Sequence, residues 1–113
     1  MNMVTEIEDP RLKICRTNIR VAIAMRGLSQ AEAARRAGLS RNTLSQFTAG
    51  QSVLTYANIL RICDVLEIPI GVLHLEDGVT AARMRLHRAL ERLPEHLAIQ
   101  ALDAATSGKQ TPV

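Results

Sequence analysis

Residues 40–46, Ser-Arg-Asn-Thr-Leu-Ser-Gln, set one guanidinium, two carboxamides and three hydroxyls within two helical turns. Such groups recognise by hydrogen bonding rather than by making bonds. A guanidinium is a planar fork of donors, and an amide offers a donor and an acceptor side by side. The Arg35-Arg36 pair adds donors suited to anions. Arg35-Arg36 reads as an anion-facing or solvated pair rather than a catalytic one. Bond-making chemistry has little support. The chain has no Gly-rich phosphate loop, no G-x-S-x-G elbow and no paired carboxylates placed for acid–base work. His74, His87 and His96 fall in different segments, without the i, i+4 pairing of helical ligands and without clustered cysteines, so neither metal nor cofactor is expected.

The elements that must position these groups are helices. Only Phe47 and Tyr56 are aromatic, so Leu, Ile, Val and Ala fill the core, and small side chains let helices approach closely. Asp9 as N-cap and Pro10 at the first helical position start a helix that runs to Arg26. Leu12, Cys15, Ile19, Ala22 and Ile23 form its core stripe, while Ile14, Val21 and Met25 lie off it and offer a second contact face. Gly27 ends this helix. Ser29 and Glu32 make an S-x-x-E capping box for a helix over 30–37. Gly38 turns the corner, Ser40 caps a helix over 41–49, and Gly50 ends it. Ala34 is the small residue at closest approach, and Leu39, Leu44 and Phe47 wedge the two helices apart. Thr55 caps a fourth helix over 56–66, and Pro69 starts a short fifth. Helices over 80–92 and 94–105 follow the Glu76-Asp77-Gly78 turn.

Net charge is +3, and its distribution says more than its sum. Residues 11–50 hold eight bases and the single acid Glu32, giving +7, whereas residues 51–113 sum to −1. That concentration is the footprint of a phosphate-binding module or of a solvated basic face. Cys15 and Cys63 are 48 positions apart at apolar helix positions and are expected to be reduced thiols. Residues 1–10 are acidic and lack the apolar region of a signal peptide, and no apolar run nears the ~20 residues that span a bilayer.

Leu28-Ser29-Gln30, Ala33-Ala34, Ala37-Gly38-Leu39-Ser40, Leu44, Phe47 and Gly50, followed by Thr55, Leu60 and Ile68-Pro69, together resemble one known family. It is the phage-repressor and Cro type of helix-turn-helix (Xre-type, lambda-repressor-like), and the resemblance covers about Leu12 to Leu73. It implies an all-α fold, with a five-helix lambda-repressor-like domain over 10–75. A two-helix C-terminal extension over 79–105 and a frayed tail over 106–113 follow. It also implies double-stranded DNA as partner. Ser40, Arg41, Asn42 and Gln46 match positions that read bases. Arg41 can donate two bonds to guanine, and Asn42 or Gln46 can pair with adenine. Gln30 matches the usual phosphate contact, with Thr43, Arg35 and Arg36 as further phosphate-binding candidates.

Three features depart from the family. Many members pair an Arg on the first helix with a Glu near the end of the third. Here those positions read as Ile23 and Thr48, so that pair is expected to be absent. Glu67 stands where a glycine usually follows the fourth helix, and a left-handed Glu costs ~1 kcal/mol. Residues 51–54 lack the usual basic residue, which weakens phosphate contact there. The functional expectation is a cytoplasmic, bacterial or phage-encoded transcriptional regulator, not an enzyme. It acts as a homodimer on a pseudo-palindromic operator and joins through Val79 to Leu102 and the spare face of the first helix. The competing reading is a protein-interaction module, such as an antitoxin that neutralises a partner protein.

Overall fold

The structure is a computed structural model that describes residues 8–110. The described residues form six α-helices and one short 3-10 turn, with no strand. These are α1 (Arg11–Met25), α2 (Gln30–Arg36), α3 (Arg41–Thr48), α4 (Tyr56–Leu66), the 3-10 turn Ile70–Val72, α5 (Ala81–Arg92) and α6 (Glu95–Gln110). The chain divides into two compact units between Ala81 and Ala82.

Local capping sets the boundaries of the first unit. The side chains of Ser29, Ser40 and Thr55 accept from the backbone N–H of Glu32 (3.0 Å), Thr43 (3.1 Å) and Asn58 (3.2 Å). Each satisfies a donor that the first helical turn leaves unpaired. The reciprocal half of the expected capping box does not form, because the Glu32 carboxylate turns to Arg35 and Arg36 instead. At α1 the helix begins at Arg11 rather than Pro10, yet Asp9 still caps it: Oδ1 accepts from the Arg11 N–H at 2.9 Å. Gly38 takes φ +74 at the corner between α2 and α3, where nothing obstructs a Cβ, so the backbone angle alone calls for glycine.

α2 packs on α3, α1 lies against α3, and α2 also meets α4. Phe47, Ile19, Leu44, Ile62, Leu73 and Cys15 are the largest fully enclosed side chains, with Ala33 and Ala34 at the close helix approach. Of the expected α1 stripe, Cys15, Ile19, Ala22 and Ile23 are buried and Leu12 half-buried. Two polar residues on α1 are buried as well. Asn18 donates its amide to the carbonyls of Leu73 (2.7 Å) and Leu75 (2.9 Å), tying α1 to the turn after the 3-10 segment. Gly78 closes that turn, where a Cβ would stand 2.2 Å from the Val72 carbonyl oxygen.

Glu67 adopts the left-handed conformation (φ 55, ψ 46) at the end of α4, so the chain keeps the family's turn without its glycine. Val79, expected in a dimer contact, belongs to the first unit and is buried. In the second unit, α6 continues to Gln110, past the expected end at Ala105, so the tail expected to fray is helical over 106–110. Residues 111–113, like residues 1–7, lie outside the described residues. No described helix is long and apolar enough to cross a membrane.

Candidate nucleic-acid interface

α3 is eight residues long and has two faces. Leu44 and Phe47 are fully buried and anchor it to the core, whereas Arg41, Asn42 and Gln46 are exposed on the outer side. The wedge therefore holds the helix while leaving its outer donors and acceptors in solvent. Ser40 and Thr43 are engaged with one another. The Ser40 hydroxyl caps Thr43 and lies 2.6 Å from its Oγ1, which makes it first a structural cap.

Gln30 is held in a defined orientation. Thr48 Oγ1 lies 3.0 Å from Gln30 Oε1 and 3.1 Å from the Ser45 carbonyl, and its one proton is shared between them. With Oε1 accepting from Thr48, the NH2 end of Gln30 remains the donor at the N-terminus of α2, the end that suits an anion. Arg35 and Arg36 are exposed but share the Glu32 carboxylate. Arg35 bonds it through Nε (3.0 Å) and Nη2, and Arg36 through Nε at 2.9 Å. These bonds pull the Glu32 carboxyl down to about 2, with Arg35 the larger cause.

The charge read from sequence overstates the basic footprint. Arg11, Arg16 and Arg26 pair with Asp9, Glu8 and Glu67, three carboxylates outside residues 11–50. They bring the +7 of that stretch to +4.

A cation does lie against the carbonyl end of α3, although not at the position where the family's ion pair was sought. It is Arg16, not the residue at Ile23, which is ordinary core at 4% exposure. Arg16 is 6% exposed, and its Nε donates to the Phe47 carbonyl at 2.7 Å. Nη2 donates to Ser52 O and to Glu8 Oε2, both at 3.0 Å, and Nη1 pairs with Glu8 Oε1. Its Cζ sits 5.0 Å from the centroid of the Phe47 ring. Arg20 adds a bond from Nη1 to the Thr48 carbonyl at 2.9 Å. Two cations from α1 thus meet the carbonyl end of α3, where the helix dipole is negative. The acid partner is Glu8, upstream of α1, rather than a residue at position 48.

Sequence reasoning missed Arg16 and Asn18. One signal was present, since Leu12, Arg16, Ile19 and Ile23 share the 4-3-4 spacing of a buried seam. A polar residue on such a seam needs buried partners, and the carbonyls that serve Arg16 and Asn18 lie 31 to 57 positions away.

The three histidines stay apart. His74 and His96 are exposed, and His87 lies 2.9 Å from Glu91. Among the described residues no group of three or more His, Cys, Asp or Glu could hold a metal.

Two capped helices about a left-handed glycine, the second presenting its first turn outward, define a helix-turn-helix of the DNA-binding class. Residues 19–73, just under half of the chain, match the helix-turn-helix family of Xre-type, lambda-repressor-like domains. The matched span starts and ends on the fully buried Ile19 and Leu73. Comparison with curated proteins gives no match, and neither does comparison with solved structures.

Proposed function

We propose that the protein is a transcriptional regulator that binds a pseudo-palindromic operator as a homodimer, represses by covering the promoter, and works in the cytoplasm without catalysing a reaction. The observation that carries this reading is the division of α3 into an enclosed inner side and an outer side bearing Arg41, Asn42 and Gln46. In the major groove Arg41 forks onto a guanine, and Asn42 and Gln46 pair with adenines. Ser40 and Thr43 sit at the entry of the helix. There Ser40 touches a base edge, and Thr43 contacts a phosphate while half-buried. Gln30, latched by Thr48, contributes its NH2 group to a backbone phosphate. Arg35 and Arg36 keep further N–H donors beyond those bound to Glu32, and these face a second phosphate.

Selection of bound sequences from a random DNA pool tests the proposal. Arg41→Ala is expected to cost ~1–3 kcal/mol on the selected site and to relax one base preference. Gln30→Ala is expected to weaken binding across all sequences while leaving that preference intact. If the logo of Arg41→Ala matches that of the wild type, the assignment of readers fails. One observation favours the competing reading, an antitoxin-like module for a partner protein. In the second unit Leu86, Leu90, Leu97, Ile99 and Leu102 are between 38% and 65% exposed.

A further inference from the structure

Once ion pairs are subtracted, the positive charge of residues 11–50 lies in two places. Of the eight bases there, Arg11, Arg16, Arg26, Arg35 and Arg36 each meet a carboxylate, and among the described residues Lys13, Arg20 and Arg41 meet none. Arg41 opens α3. Lys13 and Arg20 line one cleft of about 320 Å³ between α1 and the end of α3.

The make-up of that cleft suits an anion. Lys13, Thr17 and Arg20 stand at i, i+4 and i+7, one exposed stripe of α1. The opposite wall is Thr48, Ala49 and Gly50, and the Arg16–Glu8 pair completes the lining. Charges there sum to +2, three bases against Glu8, whose carboxylate is already taken up by Arg16. The carbonyl end of a helix ordinarily repels an anion. Here Arg16 donates to Phe47 O at 2.7 Å and Arg20 to Thr48 O at 2.9 Å, so cations cover that end. The bond to Thr48 spends one of the five N–H donors of a guanidinium, and the Lys13 ammonium has three of its own.

The place of the cleft selects the anion. α3 is eight residues long, which makes it ~12 Å, close to the ~12 Å width of a major groove. With Arg41 at the base edges, the far end of α3 comes level with the sugar-phosphate backbone. Thr48, on the wall of the cleft, also holds Gln30 at 3.0 Å, so the cleft adjoins the phosphate contact assigned to Gln30. We propose that Lys13 and Arg20, with Thr17 between them, form a second phosphate-binding site, through which α1 grips the backbone of the same DNA that α3 reads. The inference rests on the DNA-binding reading above and adds residues to it. Lys13 and Arg20 lie two helical turns apart, ~10 Å along α1, so each neutralises a phosphate of its own.

Lys13→Gln and Arg20→Gln in the full chain test the site, with Arg11→Gln as control. The control removes the same charge from the same helix at a residue outside the cleft. The affinity of each for the duplex selected from the random pool is measured across a range of salt concentrations. One phosphate contact contributes ~0.9 to the slope of log K against log salt, which is about fivefold in affinity at about 0.15 M. Lys13→Gln and Arg20→Gln should each lower the slope by ~1 and the affinity about fivefold, with the selected sequence unchanged, while Arg11→Gln keeps the wild-type slope. Lys13 holds no hydrogen bond or ion pair among the described residues, so its variant probes the contact without loosening the fold. A wild-type slope in Lys13→Gln, or an equal fall in Arg11→Gln, overturns the site while the reading of α3 stands. Binding of inorganic phosphate by the protein alone, lost in Lys13→Gln with the DNA slope unmoved, overturns the DNA source in favour of a free anion. If the wild type selects no sequence from the pool, the DNA-binding reading itself fails and the site falls with it.

Discussion

Replacing Arg16 by Met probes how the recognition helix is held. Met keeps much of the aliphatic bulk beside Phe47 but removes every donor. The guanidinium makes one bond to Phe47 O at 2.7 Å and bonds of 3.0 Å to Ser52 O and Glu8 Oε2. Removing one partner of a fully buried ion pair costs ~3–5 kcal/mol. Two features lower that figure here. The Glu8 side chain is 18% exposed and regains water, and Phe47 O still accepts from the Gly50 N–H at 3.0 Å. What is lost is then two charge-assisted bonds to carbonyls, worth ~1.5–3 kcal/mol each before rehydration, and the cation–ring contact. A net loss of ~2–3 kcal/mol follows, which for a domain of this size lowers Tm by ~10–20 °C. Urea unfolding followed by circular dichroism measures it directly. Arg16→Lys keeps the charge but not the fork, so it should fall between Met and wild type. Glu8→Gln should cost less than Arg16→Met, because both carbonyl bonds survive it. A Met variant within ~0.5 kcal/mol of wild type would refute the idea that Arg16 secures the end of α3.

Glu67→Gly should stabilise the first unit. Relief of the left-handed strain is worth ~1–2 kcal/mol, the freer unfolded chain returns ~0.4–1, and the exposed pair with Arg26 contributes little. A lower Tm for this variant would show that the turn is not strained. Burial pushes both Cys15 and Cys63 up to about 11, so iodoacetamide should modify neither thiol at neutral pH until the domain unfolds. Their folded values are raised, so the contribution to stability is whole below pH 9 and is lost as pH rises toward 11; alkylation of the native protein at pH 7 would contradict this. Glu32 works in the opposite sense. Its carboxyl is depressed to about 2, so its contribution is present above pH 4.5 and is lost as pH falls toward 2. Because the group is only half-buried, added salt should weaken the effect, and Glu32→Gln should flatten the stability curve over that window. Equal slopes for the two proteins would remove Glu32 from the account.

The sequence alone determined whatever depends on neighbours within a few positions. Ser29, Ser40 and Thr55 cap helices because each hydroxyl reaches a backbone N–H three residues on, and that distance is written in the chain. Gly38 marks a corner because only its backbone accepts the required angle cheaply. The inward set Leu44 and Phe47 followed from the wedge that two helices need, and with it the exposure of Arg41 and Asn42.

Only the tertiary structure decided which polar groups meet across the fold. Arg16 counted as surface charge until packing set it beneath Phe47, and Asn18 passed unnoticed until the turn at Leu73–Leu75 closed over it. Glu8, Asp9 and Glu67 reduced a basic stretch that looked nearly unopposed, because electrostatic partners are chosen by distance in space. The latch of Thr48 on Gln30 joins residues 18 apart for the same reason. Composition cannot state such pairings, since a side chain buries its charge only where the folded chain brings an acceptor to meet it.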